Sequence, residues 1–249
     1  MLEETHDNSQ VEFSKVQFWA ENRVGIIALD NGTDNGMDVE LLSELLGALS
    51  IAVNDSTINA IVITGTETVF STGVDICESC FESAEKYRDI LNIGHSIATT
   101  LLSIRKPVIS VVNGPAFDAG LELILLSDFV LSRNEVTVGF PGIWYNLPHF
   151  IGTPGIFSAI YGRDYLKMLS NKAFKIEESG IVTRFLPEET LMKSVMETVP
   201  ELPLYYGKFK GEIFNNLRTS IDFERYDNLA VSLAPKMNEL KSYINELKK

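Results

Sequence analysis

The sequence predicts an α/β fold in which short buried strands alternate with helices, followed by a region of helices only. Three observations carry this. The runs Gly25 to Asp30 (GIIALD), Ala60 to Thr64 (AIVIT) and Val108 to Val112 (VISVV) are short, β-branched and apolar on both faces. Between the first two, Leu41, Leu42, Leu45, Leu46 and Leu49 recur at helical spacing. After about residue 185 only helical patterns remain. With 249 residues, 45% of them hydrophobic and 22% charged, the chain can build one core of ordinary size without staples.

In chain order, residues 1–12 read as a flexible polar tail. Gln17 to Ala20 is an expected strand, and the run Gly25 to Asp30 a second one. The stretch DNGTDNG from Asp30 breaks the pattern, and Asp38 is placed to cap the leucine helix. Phe70 to Asp75 (FSTGVD) is a loop that opens towards a long helix over 82–103. After Val112, the residues NGPAFDAG form a second such loop, and Leu121 to Leu126 a buried helix. Short strands are expected over 129–132 and 137–139, then helices over 154–161, 165–170, 176–180 and from 189 onward. Strands alternating with helices imply βαβ units.

Composition excludes some functions. The formal charge of −13 disfavours partners such as nucleic acid or an anionic membrane, which are held by Lys and Arg. No run of about 18 apolar residues marks a membrane span, and the acidic N-terminus does not read as a signal peptide. A cytoplasmic location follows as an expectation. Cys77 and Cys80 are too few for a disulfide framework and lack the further ligands a zinc site needs. On a helix they share a face, so burial accounts for them. No metal and no separate cofactor is expected.

The two loops hold the candidate chemistry. Each follows a buried strand and leads into a helix, whose first N–H groups lack partners. Two such ends brought together can polarise one carbonyl oxygen. Ordinary strand–helix turns have the same composition. FSTGVDI (Phe70 to Ile76) resembles the crotonase pattern F-x-A-G-x-D-L/I. NGPAFDAGLELILLSDFVLS (Asn113 to Ser132) resembles N-G-x-A-x-G-G-G-x-E-L-x-x-x-x-D. AIVITG upstream and AFKIEESGIVTRFLPEETL downstream are similar to other blocks of that family, in the same order.

The resemblance implies a crotonase-like (ββα)n spiral core over 13–185 and a C-terminal helical oligomerisation region over 186–249. It implies an acyl-CoA thioester as substrate, with coenzyme A as part of it, and a homotrimer or a hexamer of two trimers. Enoyl-CoA hydratase/isomerase chemistry is expected. The N–H groups of Val74 and Ala119 would form the oxyanion hole, and Glu122 would be the catalytic acid/base. Thr72, Gly73, Asp75, Ala116, Asp118, Pro141, Gly142 and Tyr145 would line the substrate site.

Several positions depart from the family pattern. Gly142 stands where a second hydratase glutamate is expected, so thioester hydrolysis, decarboxylation and non-catalytic binding remain alternatives. Asp118 replaces the first glycine of GGG; it is a candidate replacement acid, and a helix N-cap is its simpler explanation. Tyr145 and His149 are other candidate proton carriers. Cys77 replaces a frequent lysine, while Arg105 and Lys106 are candidates for coenzyme A phosphates or for a solvated loop. Leu240, Ile244 and Leu247 keep an apolar face on the last helix, fit to dock on a neighbour or on the chain's own core.

Overall fold

The computed structural model describes residues 12–75, 83–198, 206–208, 210–212 and 221–234. Strands β1 (Val16–Glu21) and β2 (Val24–Leu29) form an antiparallel hairpin. Asn22 and Arg23 both take positive φ at its two-residue turn, matching the twist of the strands. From β2 the sheet grows by parallel pairing through β3 (Ala60–Gly65), β4 (Val108–Val112) and β6 (Phe129–Ser132) to a two-residue edge, β9 (Arg184–Phe185). Helices α1 (Val39–Asn54) and α2 (Ala84–Ser103) make the crossovers. Asp38 caps α1 by accepting from Leu41 N–H, as the sequence predicts.

The period-2 alternation of the strands feeds two cores. Ile27, Leu29, Ile61, Ile63, Val108 and Val112 face α1 and α2 in the larger one. Val24, Ile26, Val62, Ile109 and Val111 face the other way, where α6 (Glu188–Thr198) covers them with Leu191 and Val195. Both faces are therefore dry, which is why these strands read as unbroken apolar runs.

A second, three-stranded sheet joins β5 (Ala116–Phe117), β7 (Thr137–Gly139) and β8 (Phe174–Lys175). Between β5 and β6 lies the buried helix α3 (Ala119–Leu125), which starts two residues earlier than the apolar run suggests. Helices α4 (Pro154–Tyr161) and α5 (Arg163–Leu169) precede β8. The helix expected over 176–180 is a single 3₁₀ turn, Ile176–Ser179, closed by Gly180 at φ 72°. Two-residue strands such as β5, β8 and β9 carry too little pattern to be seen in sequence.

The C-terminal part is tied to the core by polar contacts. Lys210 Nζ donates to Asp128 Oδ2 at 2.6 Å, with both side chains almost wholly buried. Val108 N–H donates to the same oxygen at 2.8 Å. Helix α7 (Phe223–Leu233) lies on α2, where the His95 ring stacks on Phe223 at 4.3 Å and Arg88 donates to Asn228 Oδ1 at 2.9 Å. Cys77, Cys80, Leu240, Ile244 and Leu247 lie outside the described residues.

Two stability outcomes follow from these contacts. Lys210→Met leaves the Asp128 carboxylate buried without its cation and should cost about 3–5 kcal/mol in urea unfolding. Burial pushes the His95 imidazole down to about 4 from 6.5, beside Asp227 at 3.4 Å. The unfolded chain then binds a proton that the folded chain refuses. Stability should be lost as pH falls from 6.5 towards 4, by up to about 3 kcal/mol. Thermal melts across that window should show a shallower slope for His95→Gln.

Candidate active site

Side-chain amides and a hydroxyl shape the first loop. Asn35, fully buried with φ 48°, donates to the carbonyls of Thr66 and Val69 and accepts from Asn31 N–H. Asn113 accepts from Gly65 N–H at the end of β3 and donates to the carbonyl of Glu67 at 3.1 Å. Ser71 Oγ donates to the Asn35 carbonyl and accepts from Gly73 N–H. These contacts pin the backbone on either side of residue 73, so its orientation does not depend on a bound ligand.

The loop then meets the start of α3. Met37 N–H donates to the Gly73 carbonyl at 2.8 Å, and Asp75 N–H donates to the Met37 carbonyl at 3.0 Å. This parallel bridge turns the intervening Val74 N–H to the opposite side. There Gly73, at φ 95°, lies directly against the second loop: a Cβ on it would sit 2.9 Å from the Phe117 carbonyl oxygen and 3.4 Å from Ala119 N. Ala119 opens α3, so its N–H has no partner inside the helix. Among the described residues neither Val74 N–H nor Ala119 N–H has an acceptor. Gly120 completes the approach, since a Cβ there would lie 2.6 Å from the Ser71 carbonyl.

Asp118 stands beside this pair but does not act as the expected cap. It flanks α3, yet its side chain bonds no N–H of that helix. Its carboxylate instead accepts from Gly142 N–H, at 3.0 Å to Oδ1 and 3.2 Å to Oδ2. The cap reading fails because φ 45° and ψ −117° direct the side chain away from the helix end. That backbone region suits glycine, and an aspartate held in it costs about 1–3 kcal/mol. Gly142 makes the arrangement possible, because a Cβ there would meet the Asp118 carboxylate at 3.0–3.1 Å.

Glu122 is wholly buried and fully engaged. Oε1 accepts from Phe150 N–H and His149 Nδ1, each at 3.1 Å. Oε2 accepts from Ile151 N–H at 2.7 Å and Gly152 N–H at 2.8 Å. A carboxylate only accepts, so His149 Nδ1 carries a proton, and Nε2 shares a hydrogen bond of 2.6 Å with the Tyr165 hydroxyl. Burial pushes the Tyr165 hydroxyl up, with the Glu122 charge adding to it, so it stays a donor. Four protein donors occupy Glu122 on its loop-facing oxygens. This geometry makes it a residue that organises the 149–152 loop.

The other expected residues divide. Gly73 and Val74 meet Asp118 and Ala119 where the two loops touch, Ala116 is bridged to Ser71, and Gly142 joins them through the Asp118 carboxylate, with Pro141 next to it in the chain. Thr72 is held there by its N–H to the Asp34 carbonyl. Beside Val74 a cleft of about 390 Å³ is lined by Met37, Asp38, Val39, Asp75 and Ile90, within the size range of small-molecule sites. Tyr145 points elsewhere: its hydroxyl accepts from Lys172 Nζ at 3.0 Å, and that cation lies 4.7 Å over its ring. His149 is turned to Glu122 and Tyr165. Lys106 does not reach for phosphates, because its Nζ donates to the Ala52 and Asp55 carbonyls at 2.7 Å and closes the end of α1. Sequence reasoning missed Ser71 and the Tyr165–His149–Glu122 chain. Asn35 was visible only as a turn residue.

This architecture defines an α/β protein that presents two main-chain donors at one point, beside a buried carboxylate. The chain belongs to the enoyl-CoA hydratase/isomerase family, whose sequence model matches residues 20–205. A probable mitochondrial enoyl-CoA hydratase of Dictyostelium discoideum is 28% identical over 191 residues, covering 74% of this chain and 68% of that protein. The peroxisomal bifunctional enzyme of Homo sapiens is 30% identical over 178 residues; the match spans 72% of this chain but only 23% of that protein. The crystal structure of an enoyl-CoA hydratase/isomerase from Mycobacterium paratuberculosis superposes with a TM-score of 0.81 at 19% identity, covering 93% of this chain and 98% of that one. The crotonase fold expected from the sequence is therefore the fold of this protein.

Glu122→Gln tests the organising role. The amide nitrogen would face main-chain donors that need an acceptor. Each stranded N–H should cost about 1–3 kcal/mol in chemical denaturation, and hydrogen exchange at Ile151 and Gly152 should accelerate. Unchanged stability would show that the loop does not depend on the carboxylate.

Proposed function

We propose that this protein is an acyl-CoA enzyme of the hydratase/isomerase group that stabilises the enolate of a bound thioester. The observation that carries this reading is the pair of N–H groups at Val74 and Ala119, adjacent across Gly73 and without acceptors among the described residues. A thioester oxygen held between them gains negative charge when Cα loses a proton. Fixed donors favour that charged form over the neutral carbonyl, and this difference lowers the barrier.

Glu122 contributes in this reading through the loop it holds. Gly142 has no acid to offer, so a mechanism with one glutamate at each of positions 122 and 142 is not supported. Family membership and the named relatives favour a 2-enoyl or 3-enoyl thioester as the substrate class.

Calorimetric titration can isolate the oxygen contact. A short acyl-CoA thioester should bind about 10–100-fold more tightly than the thioether analogue that lacks the carbonyl, as two main-chain hydrogen bonds of about 1 kcal/mol each would give. Ala119→Pro removes one donor at a first helical position, where proline is tolerated, and should narrow that gap. Equal affinity of thioester and thioether for the unaltered protein would rule out the oxyanion assignment.

A further inference from the structure

The proton-transfer group of this site has no assignment once Glu122 is committed to the 149–152 loop. We propose that Asp118 is the catalytic carboxylate that removes and returns the proton at Cα of the bound thioester, an inference that rests on the acyl-CoA reading above.

Position is the first argument. Asp118 is amide-bonded to Ala119, whose N–H is one of the two oxyanion donors. Its Cβ lies 3.0 Å from where a side chain on Gly73 would begin, and Gly73 is the residue just before the other donor, Val74. The carboxylate is thus attached where the two donors converge, and Cα of a thioester is the atom next to the held carbonyl. The side chain is buried, at 8% exposure, so it is shielded from bulk water.

Backbone geometry is the second. A φ of 45° with ψ −117° is glycine territory, and strained non-glycine residues that persist in such regions cluster at functional sites. The helix cap that would explain an aspartate here is not made. What the conformation does achieve is to aim the carboxylate at Gly142 N–H, which fixes its direction. The space it fills is the space a side chain at 142 would need.

Elimination is the third. Glu122 has four protein donors. His149 is held between Glu122 and Tyr165. Tyr145 is bonded to Lys172 and lies under its cation. Asp75 lies on the exposed side of the first loop. None of these is attached at the junction of the two loops, where the Asp118 Cβ lies beside Gly73 and its main chain runs into Ala119.

The step balances. An Asp118 oxygen takes the Cα proton, so the C–H bond breaks and an O–H bond forms. The C–H electron pair moves into the Cα–carbonyl bond, and the carbonyl π pair moves to oxygen between Val74 and Ala119 N–H. One negative charge passes from carboxylate to enolate, so the two anions never coexist at this crowded point. Return of the proton to Cα, or to Cγ of an unsaturated chain, restores the carboxylate.

Deuterium exchange at Cα tests this without knowledge of the natural substrate. A short saturated acyl-CoA is incubated with the protein in D₂O and its mass followed. The unaltered protein should bind it and exchange the α-proton. Asp118→Asn should slow exchange by about 100-fold or more, with thioester affinity within about threefold, and should lose the acidic limb of the pH profile. Asp118→Gly, which suits the backbone better, should melt no lower than the unaltered protein and be equally slow. Exchange at the original rate in either variant overturns the proposal. So does an unaltered protein that binds the thioester and exchanges nothing. Failure to bind any acyl-CoA thioester would remove the acyl-CoA reading itself, a distinct result.

Discussion

Much of the structure around the site depends on one buried carboxylate. Glu122 projects from α3 into a nest of donors supplied by residues 149–152. Without an acceptor there, three successive main-chain N–H groups and an imidazole would be buried unpaired, an arrangement that proteins avoid. The carboxylate therefore fixes a loop that has no secondary structure of its own. That loop in turn carries other elements. Gly94 of α2 approaches it so closely that a Cβ would overlap the Phe150 carbonyl oxygen. Tyr165 of α5 and Tyr226 of α7 reach it through His149, Tyr226 by accepting from its main-chain N–H at 2.7 Å. One charge thus sets the relation of α2, α3, α5 and α7.

The same device holds the site open. An N–H pair can receive a ligand oxygen only if its backbone does not collapse onto other acceptors. On the first loop Asn35, Ser71 and Asn113 occupy the neighbouring main-chain groups and leave Val74 N–H over. On the second, β5 is bridged to Ser71 and paired with β7, which places Ala119 at the same spot. Both donors are products of pairing elsewhere, so their positions need no ligand to set them.

The sequence made the central sheet legible because strands buried on both faces leave a strong local record. β3 and β4 are readable from β-branched runs alone, and the α1 cap from Asp38 alone. The short strands β5, β8 and β9 left no such record, since their pairing partners are distant in sequence. The site was half legible for the same reason. Motif spacing located Val74, Ala119 and Glu122, but it could not say what faces Glu122. Its donors lie 27–30 residues further on, in a stretch whose main-chain N–H groups carry no residue signature. Lys106 was misread on similar grounds: its acceptors are carbonyls at the end of α1, more than 50 residues away.

Asp118 and Gly142 show how two departures from a family pattern can be one physical change. Taken singly, each looks like a loss: a glycine that the backbone wants is missing at 118, and an acid is missing at 142. In the folded chain they occupy one volume. A side chain at 142 would begin 3.0 Å from the Asp118 carboxylate, and an acidic one would place two like charges in a buried corner. The aspartate in turn needs the Gly142 N–H to hold it. Restoring glycine at 118 without an acid at 142 would leave the corner with no carboxylate at all. Restoring the acid at 142 without glycine at 118 would overfill it. The two residues are therefore a coupled pair, and the corner keeps a single carboxylate only if both stay or both change together.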